Sequence, residues 1–431
     1  MENYQGTIYF ADIQVDGSTY VVQVDTGSSD LWLSCYYLKD VTCKATCPKD
    51  TSIIAYGSGN VCVQGTSATI EFGDVTVSNY VVGIAQGSNV QPRNSESLLV
   101  GDAQGLFGLA YTSLATLPSP GGQFINYVTS FSMYLTKDDQ AKGSFLVLNG
   151  VDAAHISSHG LTPYTITLKT ANPSHWTIGM TAMQFGDTDA TFPCPTSSKG
   201  SCDTIVDSGT SLLSMPKSVY EAFVKTYLSG CTLNSAVYMC PVDVELPRLA
   251  FTFENVTFYL EKDDYITALG LDTVLVQLQA TSTSDTYANT WIMGETFLKV
   301  FYTGYNVNES VTFYCVENST CTPGSKAVAV APSSDSSGDS TAGNNFGDNS
   351  NGGIPGITSS GNDNTTTILA ILLGAVAVVV VISAVIYLLR CICRRHKRAA
   401  PQSLEPVLVV PGDYYMQQPD MQRADGYRAH Y

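Results

Sequence analysis

Histidine is scarce in this chain: five residues in 431, at His155, His159, His175, His396 and His430. None stands with a Ser or Cys in a nucleophile-like context, so imidazole-activated Ser or Cys chemistry has no support. Phosphate loops, dinucleotide fingerprints and metal-ligand spacings are missing too. The nearest zinc-like pair, Cys43-x3-Cys47, lacks His partners, so neither a metal nor a cofactor is expected. Basic residues are few, with 21 Lys and Arg against 38 Asp and Glu, for a net charge of −17. Upstream of Arg390 the imbalance is 14 basic against 34 acidic side chains. Such a body repels phosphate backbones, which excludes nucleic acid as a partner. The acidity suits acidic surroundings, where protonation relieves self-repulsion, and equally suits plain solubility.

What remains is apolar and small. Hydrophobic residues make up 44% of the chain, and charged ones only 14%. With its many Gly, Ser, Thr, Val and Tyr, that composition favours sheets and turns over helical bundles. The length allows two or three domains and a large core. Up to residue 322 the pattern is short alternating strands broken by Gly and Asn/Asp turns. Strands are expected within 6–15, 20–24, 67–72 and 249–260. The clearest helical stretch is 216–228, with Pro216 near its first turn and apolar Val219, Phe223, Val224 and Leu228. Ten of the twelve cysteines precede the long apolar run near the C-terminus, and an even number there reads as disulfides in an oxidising compartment. The close pairs are Cys43/Cys47, Cys194/Cys202, Cys231/Cys240 and Cys315/Cys321, leaving Cys35 and Cys62 to pair with each other.

That apolar run, residues 368–389, carries no charge. At ~1.5 Å per residue it spans roughly 33 Å, enough for a bilayer core. Arg390, Arg394, Arg395, Lys397 and Arg398 follow at once and put the 390–431 tail in the cytosol. Residues 323–367, rich in Ser, Gly, Asn and Asp, read as a flexible stalk. The expectation is a single-pass type I membrane protein whose ectodomain is extracellular or in the lumen of an acidic compartment. Asn255-Val256-Thr257, Asn308-Glu309-Ser310 and Asn318-Ser319-Thr320 are N-glycan acceptors in such a setting. No export signal is visible in the polar start Met1-Glu2-Asn3-Tyr4, so the N-terminus is expected to be incomplete.

Two stretches carry the chemistry. Val22-Gln23-Val24-Asp25-Thr26-Gly27-Ser28-Ser29 is echoed by Thr204-Ile205-Val206-Asp207-Ser208-Gly209-Thr210-Ser211. Each is followed at a similar distance by a hydrophobic-Gly segment, ending at Gly108 and Gly294. One such Asp loop is most often a turn. Two in matched contexts imply two similar halves that bring two carboxylates to one point. Like charges at one site cannot both ionise cheaply, so the pair holds one proton over a range of acidic pH. The ionised member takes a proton from a water, and the protonated member donates to a substrate carbonyl.

These motifs make residues 4–315 resemble the pepsin-like (family A1) aspartic endopeptidases, the handling of one shared proton by two carboxylates being their established pattern. The resemblance implies a mostly β, bilobal fold with pseudo-twofold symmetry, to which the C-terminal transmembrane helix is added. Lobes are expected at 1–155 and 156–322. Asp25 and Asp207 match the catalytic positions. Ser28 and Thr210 match hydroxyls that orient the carboxylates, and Thr26 and Ser208 match the pair that locks the two loops. Gly27 and Gly209 complete the motifs. Ala55-Tyr56-Gly57-Ser58-Gly59 resembles the tip of the family's flap, in which Tyr56 would bond the Trp32 indole and Gly57 and Ser58 would contact substrate backbone. Segments 131–135 and 143–148 resemble the inter-domain sheet, and Cys194/Cys202 matches a family disulfide. The usual turn before the first motif is replaced by Val15-Asp16-Gly17-Ser18-Thr19, and no pro-segment is present. The implied protein is a monomeric acid endopeptidase acting on polypeptides, held to a membrane, in an arrangement that fits a fungal or protist surface or vacuolar enzyme. A binding module on a dead protease fold is the rival, and the complete set of motif residues disfavours it.

Overall fold

The structure is a computed structural model. It describes residues 1–324 apart from 5, 7, 58, 88–89, 91–97, 138–141, 187, 190–199, 235–236, 270 and 282–288. The membrane segment and tail expected at 368–389 and 390–431, and all but the start of the stalk, lie outside the described residues. Among the described residues no helix is long and apolar enough to cross a membrane. They fall within one compact unit, Met1–Ala329.

The architecture is mostly β and bilobal. An eight-stranded sheet is built from strands between Glu2 and Gln86 plus Gly105–Gly108, and a nine-stranded sheet serves the second half. Both halves use the same local pairing. Gly105–Gly108 lies between the parallel strand Ser18–Asp25 and the antiparallel strand Leu31–Ser34. Trp291–Met293 lies likewise between the parallel Cys202–Val206 and the antiparallel Leu213–Met215. All four residues of the strands Leu31–Ser34 and Gly105–Gly108 are buried. Strands covered on both faces read as unbroken apolar runs, which explains their composition.

A five-stranded sheet joins the halves in the order Phe145–Leu148, Ser130–Tyr134, Tyr302–Asn306, Ser310–Cys315, Thr162–Thr167. The segments expected to form an inter-domain sheet are its first two strands. Phe131 and Tyr305 stack across it with ring centroids 4.5 Å apart. Trp176 packs edge-on to both, at 5.6 and 5.1 Å. Such contacts add about 0.5–1.5 kcal/mol each beyond the area they bury.

The expected helix forms at Lys217–Tyr227, with Pro216 at its N-cap and Leu228 at its C-cap. Its buried residues Val219, Tyr220 and Phe223 recur at helical spacing on one face. The Asp16-Gly17 substitution makes a tight hairpin. Val15 pairs with Ser18, and both turn residues have positive φ, 48° and 74°. That is the twist a two-residue hairpin needs. The run 249–260 is two strands, Leu249–Phe253 and Val256–Leu260, turned at Glu254 with φ 49°.

One part of the cysteine pairing is corrected. The bonds are Cys35–Cys43 and Cys47–Cys62, not Cys43–Cys47 and Cys35–Cys62. Strand Val75–Gln86 explains why Cys35 cannot reach Cys62. It pairs with Leu31–Ser34 on one side and carries Gln86 opposite Cys62 on the other. Two strand spacings, about 10 Å, then separate the two cysteines, beyond the ~7 Å Cα limit for a bridge. Cys231–Cys240 and Cys315–Cys321 form as expected. Cys202 is also disulfide-bonded, and its expected partner Cys194 lies outside the described residues.

Candidate active site

Asp25 ends its strand opposite Gly108, and the residue before Asp207, Val206, lies opposite Met293. Both carboxylates are buried, with 0% and 1% of their surfaces exposed. Each is held in the same way. The Gly27 N–H donates to Asp25 Oδ1 at 2.8 Å, and the Gly209 N–H donates to Asp207 Oδ1 at 2.8 Å. The Ser28 hydroxyl donates to Asp25 Oδ2 at 2.5 Å, and the Thr210 hydroxyl donates to Asp207 Oδ2 at 2.6 Å.

The two loops are tied across the pseudo-dyad. The Thr26 N–H donates to Ser208 Oγ at 3.1 Å, and the Ser208 N–H donates to Thr26 Oγ1 at 2.9 Å. Each hydroxyl passes its own proton onward, Thr26 to the Val206 carbonyl at 3.0 Å and Ser208 to the Val24 carbonyl at 2.9 Å. Four buried bonds leave no donor orphaned, and each buried donor left unpaired would cost about 1–3 kcal/mol.

The glycines are required by space. A Cβ on Gly27 would meet the Asp207 carboxyl carbon at 2.4 Å. A Cβ on Gly209 would press on the Asp25 carboxylate in the same way. Each loop therefore passes directly against the opposite carboxylate, and only glycine permits that approach. The backbone is further anchored by Leu109 N–H to the Asp25 carbonyl, 2.7 Å, and Glu295 N–H to the Thr210 carbonyl, 2.8 Å.

Burial, and then the charge of Asp25, push the Asp207 carboxyl well above the usual carboxylate range. The Thr210 hydroxyl and Gly209 N–H oppose this by favouring the ionised form. Two buried carboxyls at one site share a proton as a pair.

Strand Ser52–Tyr56 pairs with the start of Gly59–Phe72, Tyr56 opposite Gly59, in a hairpin. The Trp32 indole donates to the Tyr56 hydroxyl at 2.7 Å, and both side chains are buried. Gly57 is exposed at the tip, and Ser58 lies outside the described residues. Burial, then the negative charge of Asp25, raise the Tyr56 phenol well above its ordinary value.

Three further residues belong to the surroundings of the pair. Asp30 is buried and accepts from the N–H groups of Thr116 and Leu117 at 2.9 and 2.8 Å, fixing the segment after the first motif. Glu295 follows Gly294 directly and is 1% exposed, with no hydrogen-bond partner for either carboxylate oxygen among the described residues. Burial raises its carboxyl well above the usual range; nearby Lys299 lowers it, and Asp207 and Asp25 raise it. Lys299 is itself buried and donates to Gln277 Oε1 at 2.6 Å. His175 is buried, lowered by desolvation and raised by Asp25. Its place beside the N-terminal loops is marked by the Tyr111 N–H donating to the Ser174 carbonyl at 3.3 Å. Sequence reading passed over all three. The only signals were a charge set against the second Gly segment and a His next to a buried Trp. Among the described residues no His, Cys, Asp and Glu cluster could hold a metal ion.

The Eukaryotic aspartyl protease family matches residues 8–313 of the chain. Pepsin II-1 of Oryctolagus cuniculus is 27% identical over 331 residues, covering 71% of this chain and 80% of that protein. Pepsin A of Sus scrofa is also 27% identical over 331 residues, with the same coverage. Cathepsin E of Mus musculus is 28% identical over 333 residues, covering 70% and 79%.

Proposed function

Because this chain belongs to the eukaryotic aspartyl protease family, we propose that Asp25 and Asp207 are the two carboxylates with which it cleaves peptide bonds. The protein is an aspartic endopeptidase of the pepsin type. The observation that carries the assignment is the reciprocal bonding of the two Asp loops. Asp25 takes a proton from a water held between the carboxylates. The water oxygen bonds to the carbonyl carbon while Asp207 gives its proton to the carbonyl oxygen. The resulting gem-diol collapses as Asp25 passes the water proton to the amine nitrogen, one gem-diol hydroxyl returns a proton to Asp207, and the C–N bond breaks. No covalent enzyme intermediate forms. An extended substrate lies under the Tyr56 hairpin as an added strand, bound by its main chain.

The finer reading is of a monomer with lobes at 1–155 and 156–322. It is carried on a stalk and a transmembrane helix at 368–389, with its glycosylated ectodomain outside the cytosol. The apolar run with its basic flank supports the anchor, and the four described disulfides support the oxidising compartment.

The test is protein cleavage between pH 2 and 7 by the parent and by Asp25→Asn and Asp207→Asn, with pepstatin as inhibitor. Each variant is expected to lose about 10²–10⁴-fold or more of the activity. Cleavage that survives in either variant would refute the assignment.

A further inference from the structure

An open groove near 830 Å³ in volume is lined by none of the residues around the carboxylate pair. It runs between the segment 121–130 and the tip of the hairpin formed by Tyr302–Asn306 and Ser310–Cys315. Asn126, Thr129, Ser130, Asn306, Asn308 and Glu309 supply its polar walls, with no Lys or Arg among the lining residues. Amides, hydroxyls and a single carboxylate suit a neutral ligand rich in hydroxyl and acetamido groups. They offer an anion no cationic side chain. The volume lies within the ~300–1,000 Å³ typical of small-ligand sites.

Asn308 is at once a wall of this groove and the acceptor of the sequence Asn308-Glu309-Ser310. The residue is exposed, sits at a left-handed φ of 62°, and its carboxamide makes no hydrogen bond among the described residues. Its backbone is held firmly, because the Asn308 N–H donates to the Tyr111 hydroxyl at 3.1 Å and the flanking Val307 N–H donates to the Thr129 carbonyl at 3.1 Å. Asn255 and Asn318 are likewise exposed on turns, but neither lines the groove.

We propose that Asn308 carries an N-linked glycan whose first N-acetylglucosamine units lie in this groove. The inference rests on the ectodomain passing through the secretory pathway. In the attachment step, Asn308 Nδ2 bonds to C1 of a lipid-pyrophosphate-linked oligosaccharide. The C1–O bond to the pyrophosphate breaks, the lipid pyrophosphate leaves, and the nitrogen gives up one proton. In the folded chain Ser310 is buried and its Oγ accepts from Asn306 Nδ2 at 3.0 Å. The acceptor hydroxyl is therefore free only before folding, which places attachment on the nascent chain. Folding then closes the groove around the sugar.

The test uses the full chain produced in a eukaryotic secretory host behind an export leader. A peptide N-glycosidase acting in ¹⁸O water, before and after unfolding, marks each released site as Asp for mass spectrometry. All three asparagines are expected to be occupied. Release from native Asn308 should be about ten-fold slower than from Asn255 and Asn318, the factor that ~1.4 kcal/mol of contact gives, with the rates converging after unfolding. Asn308→Gln should speed amide hydrogen exchange across 121–130. A bare Asn308 beside an occupied Asn255 or Asn318 overturns the proposal alone. Equal native release rates, or unchanged exchange in the variant, overturn the seat in the groove. Three bare sites overturn the secretory routing as well, while leaving the protease assignment to its own assay.

Discussion

Glu295 gives the residue scale its sharpest consequence. A carboxyl that is 1% exposed and has no hydrogen-bond partner among the described residues favours its neutral form. Its folded pKa is raised, whereas in the unfolded chain it returns to about 4.3. The folded state thus binds the extra proton, and the contribution to stability is fully present below the unfolded value. It is lost as pH rises through the folded value. Asp207 is raised for the same first reason, burial, and adds in the same direction. Glu295→Gln keeps the shape and removes the titration. Its melting temperature, followed from pH 4 to 7, is expected to fall less than that of the parent. An identical pH dependence would show that Glu295 is not the responsible group. Asp25 and Asp207 were legible from their repeated motifs. Glu295 was not, because a charge beside a glycine says nothing about the water it will lose.

At the scale of elements, the Tyr56 hairpin is tied to the strand after the first Asp loop by a bond between side chains 24 residues apart, Trp32 Nε1 to the Tyr56 hydroxyl. Tyr56→Phe leaves the buried indole N–H without its acceptor, at a cost of about 1–3 kcal/mol. The expected result is a kcat/KM lower by about ten-fold or more, at ~1.4 kcal/mol per factor of ten. An unchanged kcat/KM would mean that this bond does not set the closed position of the hairpin. The element pattern was legible where a local rule governed it, as in Lys217–Tyr227, whose apolar face recurs at helical spacing. Cys35–Cys43 and Cys47–Cys62 were not, because pairing depends on which strand lies between the partners. Strand order is set by long-range contacts that spacing does not encode.

On the scale of the whole molecule, the acidic body and the long apolar run with its basic flank belong to different surroundings. If the run spans a membrane, the full chain should remain in the membrane pellet through an alkaline carbonate wash. A chain ending at Pro323 should be recovered in the soluble fraction with its proteolytic activity intact. Release of the full chain by the wash would count against the anchor. The proposed lobes meet through the five-stranded sheet and the crossed Thr26–Ser208 bonds. That arrangement brings residues 182 positions apart within hydrogen-bond distance.

From the sequence alone came the class of the fold, the family resemblance and the two repeated Asp loops. These are short motifs, and each motif carries its own local geometry. Only the tertiary structure brought Asp207 against Asp25 in one buried site, took Glu295 out of water, brought His175 beside the first loop and set Asn308 on a groove. Each of these depends on which distant groups exclude water from a site, and desolvation is a property of packing that no local stretch of chain contains.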